Sequence, residues 1–266
     1  MTLTTRQQQI KDDFVRIRGT WGEPWDAILR LDPDFLEAYT AFSSVPWRDG
    51  HNHLDDKTKE FMFIAVDAAA THMYSPGVRQ HIKAAFEAGA TPSEIMEVLE
   101  LTSTLGIHAM NIGVPLLVQV LVEKGLRTGP APLDANQERI KAEFTENRGY
   151  WHSFWDDMLE LDPDLFEAYT NFSSVPWKTG TLSPKVKELV YIAFDTAATH
   201  LYVPGLKLHI ENAIGYGATA GEILEVMEIA SVLGIHAATT AAPILVEEAQ
   251  KAGLAVGALD AHTGSA

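Results

Sequence analysis

The chain repeats its own sequence at an interval of about 130 residues, and this internal repeat constrains the fold more than any other feature. YTAFSSVPWRDG at 39–50 returns as YTNFSSVPWKTG at 169–180, an offset of 130. EIMEVLELTSTLGIHA at 94–109 returns as EILEVMEIASVLGIHA at 222–237, an offset of 128. The offset decreases by two residues where HNHL of the first copy aligns with TL of the second, and such a change in length predicts a loop. Such a repeat indicates two copies of one structural unit.

Domain boundaries follow from the repeat and from composition. RTGPAPLDANQ at 127–137 is rich in Gly and Pro and is typical of a connector. The prediction is therefore one repeat over 1–128, a second over 129–255, and a flexible tail over 256–266, which has no periodicity. The two copies are expected to pack about a local pseudo-twofold axis.

Start and stop signals predict helices throughout. Asp32 followed by Pro33 is typical of a helix start, and DPDLFEAYTNF repeats it at Asp162. TPSE and TAGE each supply a capping box, and SPGVRQHIKAAFEAG begins at a proline and stops at Gly89. The sequence contains no sustained period-two alternation and no hairpin dipeptide of the Asn-Gly type. The predicted fold class is all-α.

Composition excludes several classes of partner and of chemistry. Twenty Lys and Arg against 36 Asp and Glu leave a net charge of −16, so nucleic acid and anionic membranes are not expected partners. With no cysteine, the chain has no disulfide, thiolate metal site or thiol nucleophile. The polar N-terminus does not resemble a signal peptide, and no uninterrupted apolar run of about 18 residues is present. A cytoplasmic location without a membrane partner is therefore expected.

One phrase concentrates the residues capable of chemistry. THMYSPGVRQH at 71–81 returns as THLYVPGLKLH at 199–209, and a further histidine recurs in the two copies of LGIHA. Histidine suits proton transfer because its unperturbed pKa, about 6.5, lies near the working pH. We expect the histidines of each half to converge. The predicted catalytic residues are His72, Tyr74, His81, His108, His200, Tyr202, His209 and His236.

Carboxylates in apolar surroundings need a partner or a task. Asp67 and Asp195 lie five residues before a histidine in otherwise apolar helices, and fixing the tautomer of a histidine is one such task. Glu97 and Glu225 are expected to be solvated or to pair with an arginine. Three imidazoles with a water can also bind zinc, but their spacing matches no established metal motif, so no metal is predicted.

An anionic substrate needs a cation in this acidic protein. Basic residues recur at three places in the repeat: Arg18 with Arg148, Arg48 with Lys178, and Arg79 with Lys207. Arg48 follows the turn SSVPW, which carries a large aromatic residue at the rim of the predicted pocket. The predicted substrate-binding residues are Trp47, Arg48, Trp177 and Lys178.

A family resemblance rests on one pattern. H-I-x-x-A-x-x-x-G-A-T-x-x-E-I-x-E-V, present at 81–98 and 209–226, resembles the core of the carboxymuconolactone decarboxylase and alkylhydroperoxidase D (AhpD) superfamily. The resemblance implies two tandem AhpD-like helical domains. The peroxidase branch carries two cysteines before the histidine, and those positions are Tyr74 and Gly77 here, with Tyr202 and Gly205 in the second copy. Without the thiolate nucleophile, thiol peroxidase chemistry is excluded.

The resemblance also implies a function. It indicates a decarboxylase, another lyase or an isomerase that acts on a lactone or aromatic-derived carboxylic acid by histidine acid/base catalysis, without a cofactor. Relatives of this kind form rings, so the tandem chain is expected to form a homo-oligomer, a trimer with pseudo-hexameric symmetry. Two alternatives remain: a non-catalytic helical oligomeric binding protein, and an antioxidant-related AhpD-like protein without thiol peroxidase activity.

Overall fold

The structure is a computed structural model that describes residues 3–256, and every regular element in that range is a helix. The helices of the first half are α1 (Thr5–Arg18), α2 (Glu23–Leu31), α3 (Pro33–Ser43), α4 (Asp56–Ala68), α5 (Ser75–Glu87), α6 (Pro92–Ser103) and α7 (His108–Glu123). Those of the second half are α8 (Ala135–Arg148), α9 (Asp156–Leu161), α10 (Pro163–Ser173), α11 (Val175–Thr179), α12 (Pro184–Thr196), α13 (Val203–Gly215), α14 (Ala220–Ser231) and α15 (His236–Lys251). The predicted all-α class is confirmed. The predicted tail, 256–266, lies outside the described residues except for its first residue.

The predicted helix ends are confirmed where the sequence carried a capping signal. Asp32 accepts a hydrogen bond of 2.9 Å from the backbone N–H of Phe35, and Asp162 caps α10 in the same way. Both predicted capping boxes form, at Thr91 and at Thr219. Gly89 adopts a left-handed φ of 86° just beyond α5, where an L side chain would be strained.

Besides a smaller cluster around Phe144 and Trp155, the two halves share one large hydrophobic core. Helices α4 and α12 pack against each other at its centre, and their consecutive residues 61–66 and 189–194 are buried. The last helix of each half covers the other half, because α15 packs against α2 and α7 packs against α9. Each repeat therefore depends on the other for part of its packing.

Two buried ion pairs join the halves. The carboxylate of Glu97 lies 3.1 Å from Nζ of Lys187, and that of Glu225 lies 3.2 Å from Nζ of Lys59. Glu97 also accepts hydrogen bonds of 2.6 and 3.0 Å from two backbone N–H groups of the loop before α12. The expectation that these glutamates are solvated or pair with arginine is wrong. Each glutamate instead fixes a loop of the opposite half.

The segments Pro92–Glu123 and Ala220–Lys251 are long and apolar enough to cross a membrane by length and composition. Neither segment was expected from the sequence, because polar residues interrupt both and neither contains an uninterrupted apolar run of about 18 residues. Each segment contains a 3₁₀ turn, Thr104–Ile107 or Val232–Ile235, and buries some of its polar side chains, among them Glu97 and Glu225. Apolar side chains of α7 and α15 remain exposed, among them Leu116, Leu117, Ile244 and Leu245. An exposed apolar surface of this kind favours contact with another chain.

Candidate active site

The repeated phrase forms a turn that is strained in both halves. It connects α4 to α5, where Met73 has a φ of 54°, and α12 to α13, where Leu201 has a φ of 50°. A left-handed residue other than glycine costs about 1–2 kcal/mol. The backbone N–H of Tyr74 donates a hydrogen bond of 2.8 Å to the carbonyl of Asp67. The strain therefore fixes the two residues that flank Met73, His72 and Tyr74, beside the end of α4.

The Pro-Gly step recurs because a carboxylate occupies the space of a side chain. A Cβ atom on Gly77 would collide with Oδ2 of Asp67 and with the ring of Tyr74. Gly205 is related in the same way to Asp195 and Tyr202. The first turn of each following helix thus approaches the aspartate closely.

A test of this packing is Gly77→Ala. We expect a loss of about 1–3 kcal/mol in the free energy of unfolding, because the added methyl group displaces the buried carboxylate. The matched control is Gly113→Ala in α7, where the added Cβ atom meets nothing within 4 Å. There the change is expected to be neutral or stabilising by up to about 1 kcal/mol. Urea denaturation of both variants measures the difference, and equal effects would contradict the steric explanation.

Histidine pairs form across the two halves. Nε2 of His72 lies 2.7 Å from Nδ1 of His236, and Nε2 of His200 lies 2.6 Å from Nδ1 of His108. His72 and His81 both approach Asp67, each with Nε2 3.9 Å from its carboxylate, but the expectation that His108 joins them is wrong. The correct partner comes from the other repeat, because the terminal helix of each repeat packs on the opposite half.

Each predicted tyrosine holds the histidine that comes from the other half. The ring of Tyr74 stacks on His236 and that of Tyr202 stacks on His108, each with centroids 3.7 Å apart. The hydroxyl of Tyr74 shares a hydrogen bond of 2.8 Å with that of Thr239. Tyr74 and Tyr202 therefore each position an imidazole. They occupy the first of the two positions at which the peroxidase branch carries cysteine.

Asp67 and Asp195 lie beneath these histidine pairs. Oδ1 of Asp67 is 3.6 Å from Nδ1 of His236 and 3.9 Å from Nε2 of His72. Burial, with a smaller contribution from Glu60, raises the pKa of Asp67 to about 7. Burial, followed by Glu188, raises the pKa of Asp195 to about 8. Both carboxyls are therefore poised to change charge near neutral pH.

The histidines that cross between halves are held in the neutral form. Burial lowers the pKa of His236 to about 3, with smaller contributions from His72 and His81. Burial also lowers the pKa of His108 to about 3, followed by His200 and His209. The pKa values of His72 and His200 are lowered by burial as well. All four imidazoles are therefore uncharged at neutral pH.

His81 forms a separate pair with a glutamate. Its Nδ1 lies 2.7 Å from Oε2 of Glu60, and its ring stacks on Phe63 with centroids 4.2 Å apart. His209 and Glu188 form the equivalent pair at 2.6 Å. A carboxylate on one ring nitrogen fixes the tautomer and leaves the other nitrogen available for proton transfer. Glu60 and Glu188 were not predicted as site residues. They lie 128 residues apart, as His81 and His209 do, and this shared interval was the signal in the sequence.

A cavity of about 210 Å³ adjoins the site of the first half. Its polar lining includes Arg18, Asp67, Tyr74, His81 and His236. Its aromatic wall is formed by Trp21, Trp25, Tyr39 and Phe63. The cavity thus places a guanidinium and an imidazole beside a large apolar surface.

The predicted substrate-binding residues lie away from this cavity. Arg48 is exposed and hydrogen-bonds back to the carbonyl of Ala41 and to Oγ of Ser44, while Lys178 is exposed on α11. Trp47 stacks on Phe63 with centroids 5.9 Å apart, behind the cavity wall. Trp177 donates a hydrogen bond of 3.3 Å to the hydroxyl of Tyr191. The cation at the cavity is Arg18. Its recurrence as Arg148 in the second copy was the feature of the sequence that could have identified it.

Comparison with known proteins agrees with this architecture. The model of the carboxymuconolactone decarboxylase family matches residues 33–110 and 163–248. The chain belongs to the carboxymuconolactone decarboxylase family. It is 57% identical to a protein of Burkholderia xenovorans LB400, provisionally named a gamma-carboxymuconolactone decarboxylase subunit, whose crystal structure was determined at 1.70 Å. The alignment covers 93% of this chain and 98% of that one, with a TM-score of 0.90. No curated protein matches the chain.

The two family domains of the chain differ where the cavity lies. Thr20, Gly22 and Pro24 at the first site are replaced in the second copy by Tyr150, His152 and Phe154. These larger side chains pack together with Trp155 over the second site. Arg148, the equivalent of Arg18, is buried and donates a hydrogen bond of 3.2 Å to the Tyr150 hydroxyl. The second domain thus fills the space that the first leaves open.

Proposed function

We propose that the protein is a decarboxylase of a small carboxylic acid, with a lactone or aromatic-derived acid as substrate, and that the substrate binds in the cavity of the first domain. Membership of the family supports a decarboxylase-like activity. The observation that carries the proposal is the cavity itself, which brings Arg18, Tyr74 and His81 together against an aromatic wall. Its volume of about 210 Å³ suits a compact ring-bearing acid.

The chemistry follows from the groups at the cavity. When the carbon–carboxylate bond of a vinylogous acid breaks, CO₂ leaves and the electron pair moves toward a carbonyl oxygen. Arg18 supplies positive charge for the carboxylate and for the developing oxyanion. His81, held by Glu60, delivers the proton that the substrate carbon then requires. No thiol takes part, because the chain has no cysteine.

The aromatic wall excludes water around this reaction. Trp25 stacks on Tyr39 with centroids 5.6 Å apart, and Phe63 lies between Trp47 and His81. In such surroundings the attraction between Arg18 and an anionic substrate is stronger than in bulk water. The same surroundings offer a flat apolar surface for a ring. Arg18 thereby recognises the charge of the substrate, and the aromatic wall recognises its ring.

Arg18→Gln tests the role of the guanidinium. We expect KM for the acid substrate to rise at least about tenfold, because a charge-assisted contact contributes about 1.5–3 kcal/mol. The control is Arg48→Gln, which removes an exposed guanidinium outside the cavity and should leave KM unchanged. The assay follows CO₂ release from lactone acids such as carboxymuconolactone.

The two outcomes that would contradict the proposal are distinct. If none of the lactone and aromatic-derived acids tested releases CO₂, the decarboxylase proposal fails. Binding of an acid without turnover would favour the alternative of a non-catalytic binding protein. If turnover occurs but Arg18→Gln and Arg48→Gln behave alike, the assignment of the cavity as substrate site is wrong.

We further propose that the protein acts as a homo-oligomer. The exposed apolar side chains of α7 and α15 favour burial against another chain, and the similar Burkholderia protein is named a subunit. The repeat makes a closed trimer with pseudo-hexameric symmetry the simplest assembly. Light scattering of the purified protein measures this, and a strict monomer would contradict it.

A further inference from the structure

Two clusters of metal-ligand type lie where the halves meet. The first, cluster A, consists of Asp67, His72 and His236. The second, cluster B, consists of His108, Asp195 and His200. In each cluster, two imidazole nitrogens and one carboxylate oxygen lie within 4.8 Å of one another. We propose that each cluster binds one divalent transition-metal ion, so that the chain holds two.

The distances within cluster A are close to those of a ligand set. The three donor atoms are separated by 2.7, 3.6 and 3.9 Å. Ligand atoms about 2.0–2.2 Å from a tetrahedral metal are separated by roughly 3.3–3.6 Å. A movement of about half an ångström in the side chains therefore converts the cluster into a coordination site.

Cluster B repeats this geometry with the halves exchanged. Nδ1 of His108 lies 2.6 Å from Nε2 of His200, and Oδ1 of Asp195 lies 3.7 and 3.8 Å from those two nitrogens. The two clusters therefore agree within about 0.2 Å. Agreement at two places argues that this geometry is a property of the fold and not of one local contact.

Three of the four carboxylate oxygens of Asp67 and Asp195 have no hydrogen-bond partner among the described residues. These three are Oδ2 of Asp67 and both oxygens of Asp195, and all of them are buried. Asp67 is 1% exposed and Asp195 is fully buried. A buried carboxylate without hydrogen bonds is costly unless a cation or a proton compensates it. A divalent ion bound between the aspartate and the two imidazoles above it would supply that charge.

Residues around each cluster hold its imidazole rings and its carboxylate in position, as the residues around the ligands of a metal site do. Tyr74 stacks on His236 and Tyr202 on His108, which sets the plane of each ring. Met73 and Leu201 adopt the left-handed conformation that places His72 and His200. Gly77 and Gly205 leave room for the carboxylates. Strained and space-restricted positions thus surround each cluster on several sides.

The donor set indicates the class of metal. Two imidazoles and one carboxylate, without thiolate, suit Zn²⁺, Fe²⁺, Mn²⁺, Co²⁺ or Ni²⁺ and do not suit Ca²⁺ or Mg²⁺. Three protein ligands leave at least one coordination position for water or another small ligand. In cluster A this position faces the cavity, because Asp67 and His236 line it. The proposal goes beyond the decarboxylation described above, none of whose steps is assigned to these clusters.

The test counts metal ions per chain. Protein without a histidine tag is stripped with EDTA, loaded with Co²⁺ or Zn²⁺, dialysed and analysed by inductively coupled plasma mass spectrometry. We expect two ions per chain in the wild type, one in His236→Ala, one in His108→Ala, and none in the double variant. Asp67→Asn, which keeps the shape of the side chain, should also lose one ion, and it covers the case in which a histidine variant fails to fold.

Controls separate these sites from adventitious binding. His51→Ala removes a surface histidine and should leave two ions per chain. Bound Co²⁺ should show visible absorption bands that disappear in the double variant. Fewer than about 0.2 ions per wild-type chain, or an unchanged count in the double variant, would overturn the proposal. Neither readout depends on decarboxylase activity, so the metal proposal and the proposed function fail separately.

Discussion

His81→Ala is expected to lower kcat of the decarboxylation by at least about 100-fold, while His209→Ala leaves it within about threefold. A positioned acid or base contributes roughly 10²–10⁴ in rate. Both histidines pair with a glutamate, Glu60 or Glu188, so chemistry alone does not distinguish them. The difference is access, because His81 lines a cavity, whereas in the second copy the larger Tyr150 and Phe154 take the places of Thr20 and Pro24, which line that cavity.

The glutamate partner provides a second measurement on the same site. Glu60→Gln keeps the hydrogen-bonding shape but removes the charge that stabilises a protonated imidazole. It should lower kcat less than His81→Ala does, because the amide oxygen still holds the imidazole in place while the negative charge beside it is lost. The matched variant Glu188→Gln should leave kcat unchanged.

Two outcomes would contradict this assignment. Full activity in His81→Ala would remove the imidazole from the mechanism. An equal loss in His209→Ala would show that the second site is also active, despite its aromatic filling. A further variant tests the large side chains of the second domain directly.

Tyr150→Thr with Phe154→Pro gives the second domain the residues of the first at these two positions. If the first site alone is open in the wild type, this change should let His209 support turnover in a His81→Ala background.

Local signals predicted the helices but not how they meet. Asp32, Thr91 and Gly89 act on backbone groups a few residues away, so their effects could be derived from the sequence. The repeat also predicted two equivalent units. Packing of α15 on α2 depends instead on contacts between side chains more than 190 positions apart. No pattern within one repeat indicates that its last helix covers the other repeat.

The candidate site was predicted in part for the same reason. His72, Tyr74 and Asp67 belong to one turn and the helix before it, and the sequence placed them together correctly. His108 was assigned to the wrong cluster because the choice between two equivalent partners lies in the tertiary structure. Arg18 and Glu60 recur in the repeat as strictly as the histidines do, but recurrence alone does not show which side of a helix faces a cavity.

Exchange of helices between the halves makes the buried ion pairs important for stability. Lys59 is fully buried, and its Nζ lies 3.2 Å from the carboxylate of Glu225, which belongs to the opposite half. We expect Lys59→Met to lower the free energy of unfolding by about 3 kcal/mol, because it leaves a buried carboxylate without its cation. The loss should fall at the lower end of the range of about 3–5 kcal/mol, since Glu225 keeps two backbone N–H donors at 2.7 and 2.8 Å.

The chain offers a matched control two residues earlier in α4. Lys57 pairs with Glu94 at 2.8 Å within the same half, and its side chain is 33% exposed. Lys57→Met should cost at most about 1 kcal/mol, because partly exposed pairs contribute little. Urea denaturation at one fixed protein concentration compares the two variants. If both lose the same small amount, the buried pair is not a significant connection between the halves.

A neutral replacement separates charge from packing at this pair. In the double variant Lys59→Met with Glu225→Gln, the carboxamide oxygen can still accept the two backbone hydrogen bonds, and no uncompensated charge remains buried. The double variant should therefore recover a large part of the stability that Lys59→Met loses. No recovery would assign the loss to the aliphatic chain of Lys59 and to its contact with Trp47, where Nζ lies 5.3 Å from the ring centroid. Recovery would show that the loop before α4 is fixed to the opposite repeat by charge.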